Sequence, residues 1–211
     1  MITDLKSKGQ YDDTLIIITA DHGEMLGDRH AWGKMTVYEA AYNTPLIVKV
    51  PNNDAWAGHE VTTPTESIDI TPTILDWIGR EAPTSMDGRS LLPLLRGAVP
   101  SDWRSATFSE LDFGDPVSPT LWQTMLGTNL RDSCLSILRD ERFTLVEFAA
   151  DLPPLLFDHK AEGEEKNVAM QAEYASDLAR MSRQMLRFRM KHTDQTLSSA
   201  AITPEGVKWH R

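Results

Sequence analysis

The stretch TLIIITADHGEMLGDRHAWGK, residues 14–34, joins an apolar run directly to a dense group of ionisable residues. Residues 14–19 are apolar or β-branched, which predicts a strand that is covered on both faces. The ionisable residues that follow are Asp21, His22, Glu24, Asp28, Arg29, His30 and Lys34. Because ligands bind at the carboxyl ends of parallel strands in open α/β sheets, this pattern predicts a site at the strand end. Carboxylate, imidazole and ammonium groups together favour metal-assisted chemistry on an anion.

Asp21 and His22 are the first candidate metal ligands, because they follow the strand directly and Gly23 lets the backbone turn. Their oxygen and nitrogen atoms suit Mn²⁺, Mg²⁺, Zn²⁺ or Ca²⁺. A catalytic metal normally keeps at least three protein ligands, and no further obvious ligand follows at short spacing. The alternative interpretation is a solvated loop in which the two side chains cap a helix or pair with each other. The two residues alone leave both interpretations open.

Composition excludes several classes of function. The chain has 211 residues, 41% of them hydrophobic and 25% charged, as in ordinary globular proteins. A net charge of −10 disfavours a nucleic acid or an anionic membrane as partner, although a small anionic substrate stays compatible with it. Cys134 is the single cysteine, so intrachain disulfides are excluded and a reducing, cytoplasmic location is predicted. No run of about 18 apolar residues is present that would span a membrane.

The predicted secondary structure changes in character near residue 105. Residues 1–105 predict a mixed α/β part, with strands at 14–19 and 46–50 and helices at 35–42 and 67–78. Residues 106–211 predict a small antiparallel sheet, with strands at 107–111, 133–138, 143–148 and 155–157. A long helix over 170–191 carries an apolar stripe, and the tail from 192 is predicted to be extended. The acidic loop at 162–165 is interpreted as a solvated turn.

The residue motifs resemble those of one known family. DHGEMLGD at 21–28 followed by HAWGK at 30–34 resembles the strand-end signature of the sulfatases and their phosphonate monoester hydrolase relatives, in the alkaline phosphatase superfamily. Further similar pieces are YE at 38–39, NTPLI at 43–47, SIDITPTIL at 67–75, DGRSLLP at 87–93, LFD at 156–158 and NVA at 167–169. DSCL at 132–135 and DERF at 140–143 most resemble the phosphonate monoester hydrolase branch. The resemblance implies the C-terminal part of an alkaline-phosphatase-like fold, with part of a mixed central sheet beside the small antiparallel sheet and long helix.

The resemblance also implies roles for individual residues. Asp21 and His22 would be two ligands of one divalent metal, Mn, Ca or Mg. Lys34 would contact the non-bridging oxygens of a sulfate, phosphate or phosphonate monoester, and His30 is a further catalytic candidate. The family's nucleophile is a cysteine within Cys-x-Pro/Ala-x-Arg that is converted to formylglycine. Cys134 lies in DSCLSI instead, and a small buried side chain is the favoured interpretation for it.

The family's remaining metal-binding acids, on an early strand, have no counterpart here. The chain is therefore expected to carry half of a hydrolase site and to be inactive alone. Two alternatives are a non-catalytic remnant that associates with itself and one subunit of a two-chain enzyme. Because the edges of the strands at 14–19 and 46–50 would lack partners, a homo-oligomer is also predicted.

Overall fold

A computed structural model describes residues 1–52, 57–192 and 200–209 as a mixture of short helices and antiparallel strands. The helices are α1 (Ile2–Ser7), α2 (Glu39–Tyr42), α3 (Ile70–Trp77), α4 (Leu92–Leu95), α5 (Leu121–Leu126) and α6 (Ala175–His192). The strands are β1 (Ile16–Thr19), β2 (Met25–Leu26), β3 (Trp32–Gly33), β4 (Leu46–Lys49), β5 (Ala106–Asp112), β6 (Cys134–Asp140), β7 (Phe143–Phe148), β8 (Leu155–Asp158), β9 (Ala200–Thr203) and β10 (Gly206–Trp209). The predicted α/β class is confirmed, and the division at residue 105 stays a prediction.

The largest sheet is antiparallel and has the strand order β5-β6-β7-β8. The strands predicted in the second half are all present, and β6 joins β7 through the expected hairpin turn. Helix α6 covers one face, where Met181 and Met185 pack with Leu138, Leu145 and Leu156. The central strands β6 and β7 each bury consecutive residues, because the opposite face is covered as well.

Residues 36–42 cover that opposite face. Val37 is buried there beside Phe113, Ile137 and Phe157, and the rings of Tyr38 and Phe157 lie 6.1 Å apart. The predicted helix over 35–42 is therefore wrong for its first half. Thr36 and Val37 are buried and non-helical, and α2 begins only at Glu39. The segment that follows Lys34 is thus fixed on the sheet.

Strands β1 and β4 pair antiparallel with each other and form a separate two-stranded sheet. The predicted position of the site at the end of a parallel strand is therefore not matched by this antiparallel pair. Ile18 and Ile47 are direct cross-strand partners and are 42% and 60% exposed, so the strand is not covered on both faces. Within the described residues, no helix or strand lies over these two side chains. The apolar composition of residues 14–19 is nevertheless that of a buried strand.

The SIDITPTIL and DGRSLLP motifs meet around Asp69, whose side chain is fully buried. Its carboxylate accepts the backbone N–H groups of Glu66 (2.9 Å) and Arg89 (2.8 Å). Arg104 donates to both carboxylate oxygens, with Nη2 at 2.7 Å from Oδ1. Gly88 is needed at the contact, since a Cβ there would lie 2.0 Å from the carbonyl oxygen of Ile68. This ionic cluster joins α3, the following loop and the start of β5.

The C-terminal region departs in detail from the prediction. Helix α6 begins at Ala175, later than predicted, after a 3-10 turn over Ala172–Tyr174. Leu186, assigned to the apolar stripe, is 58% exposed, whereas Phe188 stacks on Phe108 with 4.3 Å between ring centroids. Strands β9 and β10 form a hairpin in the predicted extended tail, and residues 193–199 and 210–211 lie outside the described residues. Among the described helices, none has the length and apolar character needed to cross a membrane.

Candidate active site

The charged segment after β1 forms a short hairpin, where the sequence predicted only a loop. Strands β2 and β3 pair with Met25 opposite Gly33 and Leu26 opposite Trp32. We call residues 25–33 the site hairpin. Met25 is buried, while Leu26 and Trp32 are 70% and 75% exposed on the same face.

The tip of the site hairpin has a strained backbone. Arg29 and His30 have φ angles of 53° and 60°, in the left-handed region that non-glycine residues disfavour by about 1–2 kcal/mol each. Backbone hydrogen bonds within the tip run from His30 N–H to Gly27 O (3.1 Å) and from Ala31 N–H to Asp28 O (3.0 Å). Two consecutive strained residues require contacts from outside the hairpin to hold them in place.

Asp21 and His22 lie directly after β1 and contact each other. Oδ1 of Asp21 accepts the backbone N–H of His22 at 3.1 Å, and its Oδ2 lies 3.6 Å from Nε2 of the ring. Nδ1 of His22 lies 2.6 Å from the carbonyl oxygen of Gly23. Because a carbonyl oxygen only accepts, the contact with Gly23 places a proton on Nδ1 of His22. Nε2 is the ring nitrogen on the side of Asp21.

This arrangement requires glycine at position 23, because the backbone there packs directly against the backbone of α2. Its N–H donates to the carbonyl oxygen of Ala41 at 2.9 Å. A Cβ at this position would lie 2.0 Å from the carbonyl oxygen of Ala40, a distance that forbids any side chain without backbone movement. Gly23 was predicted to permit a sharp turn, and in the structure it permits the close approach of two backbone segments.

The other two predicted site residues are exposed. Lys34 follows β3 directly, and its ammonium group forms no hydrogen bond or ion pair with the part of the chain that the structure describes. His30 projects from the strained tip and is also exposed. Neither side chain forms a hydrogen bond or an ion pair with Asp21 or His22 within the described residues. Asp21 and His22 contact each other, as the solvated-loop interpretation also predicts.

The donor set is incomplete for a metal site. Within residues 1–52, 57–192 and 200–209, no group of three or more His, Cys, Asp or Glu side chains is arranged to hold an ion. The chemistry of the pair itself still fits a divalent cation. A ligating histidine usually donates its other ring N–H to a backbone carbonyl or carboxylate, as Nδ1 of His22 does to Gly23.

Glu164 also belongs to this region, although its sequence gave no indication of it. It belongs to the acidic loop at 162–165, but its side chain is only 12% exposed, so the interpretation as a solvated turn is wrong at this position. Its Oε1 accepts the backbone N–H of Glu39 at 2.8 Å, and its Oε2 lies 3.9 Å from Nε of Arg29. Burial raises the pKa of the Glu164 carboxyl, while the N–H of Glu39 and the charge of Arg29 act in the opposite direction. No local pattern distinguishes Glu164 from Glu162 or Glu165.

A polar cleft of about 520 Å³ lies beside the site hairpin, on the side of Glu164. Asp28, Arg29, Glu39, Asn43 and Glu165 contribute polar groups to its lining. Asp21, His22 and Lys34 do not line it. The cleft is therefore distinct from the two predicted metal ligands.

The chain is similar to known proteins in both sequence and structure. A sequence model of the sulfatase family matches residues 1–80. The multifunctional alkaline phosphatase superfamily protein PehA of Trinickia caryophylli is 42% identical over 96% of this chain and 39% of its own length. An N-acetylglucosamine-6-O-sulfatase of Bacteroides thetaiotaomicron is 31% identical over 81% of this chain and 29% of its own length.

Solved structures agree with the sequence comparisons. A phosphonate monoester hydrolase from Silicibacter pomeroyi superposes with a TM-score of 0.90 at 62% identity, over all of this chain and 41% of its own. A phosphonate monoester hydrolase of Agrobacterium radiobacter gives a TM-score of 0.86 at 38% identity, over all of this chain and 42% of its own. The chain thus spans about two fifths of the length of these relatives.

Proposed function

Because this chain belongs to the sulfatase family of the alkaline phosphatase superfamily, we propose that it forms one wall of a metal-dependent site that hydrolyses sulfate, phosphate or phosphonate monoesters. Asp21 and His22 are two ligands of a single divalent cation, Mn, Ca or Mg. Lys34 contacts the oxyanion of the substrate, and His30 lies near the reacting group. The substrate is a small anionic ester.

The observation that carries this proposal is the orientation of the His22 ring. Nδ1 donates to Gly23 O, which leaves Nε2 as the ring nitrogen that could bind a metal, and Nε2 lies 3.6 Å from Oδ2 of Asp21. Imidazole nitrogen and carboxylate oxygen are both atoms that a divalent cation binds. When bound, such a cation polarises an ester oxyanion and lowers the pKa of a bound nucleophile.

Lys34 suits a role in charge stabilisation. Its ammonium group is exposed and forms no ion pair within the described ranges, so its charge is available to an anionic substrate. A lysine places a compact point charge on oxygens where negative charge develops during transfer. The buried segment that follows holds its backbone, since the N–H of Thr36 donates to the carbonyl oxygen of Lys34 at 2.9 Å.

We further propose that the nucleophile and the remaining ligands come from polypeptide outside this chain. Cys134 is half-buried at the start of β6, in a sequence unlike the family's nucleophile motif. On this account the chain alone does not turn over a substrate. A cytoplasmic location, supported by the single cysteine, is part of the same proposal.

The alternative function is a non-catalytic chain that associates with itself. The exposed cross-strand pair Ile18 and Ile47 favours it, since exposed apolar strands promote edge or face association. A two-chain enzyme would instead cover the same face with its second polypeptide. Sedimentation of the chain alone measures self-association, and the activity of a chimeric enzyme measures catalysis.

A chimera tests the proposed function. This chain replaces the matching 41% of the Silicibacter pomeroyi hydrolase, and hydrolysis of an aryl phosphonate monoester is measured. Because the two segments are 62% identical, the chimera is expected to fold and to turn over the ester in a metal-dependent manner. A folded chimera without activity would contradict the proposed function and favour the non-catalytic alternative.

A further inference from the structure

We propose that Glu164 is a positioning residue, which holds the tip of the site hairpin through Arg29 and the start of α2 through the N–H of Glu39. Through these contacts it fixes the place where Lys34 is presented. The role given to Lys34 rests on the proposed function. The contacts of Glu164 do not depend on it.

The two carboxylate oxygens of Glu164 contact two different elements. Oε1 accepts the N–H of Glu39 at 2.8 Å, at the beginning of α2. Oε2 lies 3.9 Å from Nε of Arg29, at the tip of the site hairpin. Glu164 itself belongs to the loop that follows β8, so a single side chain of the second half of the molecule joins two elements of the first half.

Arg29 is held from two sides. Its guanidinium lies over the ring of Tyr38 at 4.8 Å from the centroid, and Tyr38 packs on the sheet through Phe157. Glu164 supplies the compensating charge beside it. Because Arg29 and His30 both have left-handed backbone angles, the tip needs these outside contacts to keep its conformation.

A second set of contacts fixes α2 against the sheet. Oε2 of Glu39 pairs with Nη2 of Arg139 in β6 at 2.8 Å, and Nη1 of the same guanidinium lies 3.0 Å from Nε2 of His159. The contacts of Glu39 and Glu164 therefore connect the site hairpin, α2 and β6. Through Arg139 of β6, these contacts are attached to the four-stranded sheet.

Lys34 stands between two fixed segments. Strand β3 ends at Gly33 immediately before it, and the buried residues Thr36 and Val37 follow shortly after it. Relaxation of the hairpin tip would move β3 relative to these buried residues. Lys34 would then change its position although no contact of its own had been removed.

Amide hydrogen exchange on the full 211-residue chain tests the contacts directly. Glu164→Gln keeps an acceptor for the N–H of Glu39 and removes the charge beside Arg29. Protection of the His30 and Ala31 amides is expected to fall about tenfold, while the midpoint of global unfolding stays unchanged. Glu165→Gln is the matched control, because Glu165 lines the same cleft, is exposed and has no side-chain partner in the described ranges. Equal protection in the parent chain and Glu164→Gln would overturn the proposal.

The kinetics of the chimera distinguish a positioning role of Glu164 from a purely stabilising one. Glu164→Gln is expected to lower kcat about tenfold and to change KM less than about twofold. Misplacement of Lys34 would weaken its interaction with the transition state more than its interaction with the bound substrate. Arg29→Gln should give the same loss, and the double variant no more than either alone, because both act through one contact. Additive losses, or an unchanged kcat, would overturn the proposal. An inactive parent chimera would count against the proposed function, and the exchange experiment would still decide the role of Glu164.

Discussion

Replacement of Asp69 by alanine is expected to lower the free energy of unfolding by about 3–5 kcal/mol, the range for removing one partner of a buried ion pair. The Asp69 side chain is fully buried and pairs with Arg104, which is itself only 13% exposed. Its removal leaves that guanidinium with Glu66, whose Oε2 lies 3.3 Å from Nε. The N–H groups of Glu66 and Arg89 would lose their acceptor as well.

Chemical denaturation of the full chain measures this change, and Asp102→Ala is the control. Asp102 also faces an arginine, Arg89, but at 3.7 Å and with 83% of its side chain exposed. Exposed pairs contribute at most about 1 kcal/mol. Losses of similar size in the two variants would contradict the assignment of Asp69 as the centre that joins α3, the following loop and β5.

Replacement of Lys34 by alanine in the chimera is expected to lower kcat about 10²–10³-fold, the effect of removing one group that stabilises a developing oxyanion. KM should change much less, because the interaction strengthens as charge develops. The variant should unfold at the same denaturant concentration as the parent, since the ammonium group is exposed and without a partner in the described part of the chain.

Lys160→Ala is the matched control for this variant. Lys160 is also exposed, and its ammonium pairs with Glu141 at 3.2 Å in the loops of the four-stranded sheet. Hydrolysis by this variant should equal that of the parent chimera. If Lys34→Ala raised KM alone and left kcat unchanged, Lys34 would only bind the substrate, and its role in charge stabilisation would be wrong.

The second half of the chain could be predicted well because its signals are local. Strands β6 and β7 are largely apolar or β-branched and are separated by a polar turn, and the structure places them as neighbours in the predicted hairpin. Helix α6 follows from the spacing of residues such as Met181 and Met185. Strand pairing in the first half was not predictable in this way. An apolar run such as residues 14–19 indicates burial but does not specify the direction of its partner.

Only candidate residues that adjoin in sequence could be proposed together from the sequence. Asp21 and His22 were chosen from chemistry and from their place after a strand. Their side chains contact each other, as the solvated-loop interpretation also predicts, and their role as metal ligands stays a prediction. Glu164 lies far from the hairpin in sequence, and nothing local separates it from the exposed glutamates around it. The left-handed backbone angles of Arg29 and His30 could not be predicted from the sequence either, because such angles usually occur at glycine.

The most direct test of the central claim, that Asp21 and His22 are two ligands of a divalent cation, is proton relaxation of the histidine rings of the full chain during titration with Mn²⁺. The ring of His192 is an internal control, since its Nδ1 lies 2.9 Å from Oδ1 of Asp87 and is engaged in that contact. Our account predicts that His22 broadens first, that its ¹⁵N shifts report a proton on Nδ1, and that Asp21→Asn removes the broadening. Equal broadening of the two rings, or broadening of His22 that persists in Asp21→Asn, would contradict it.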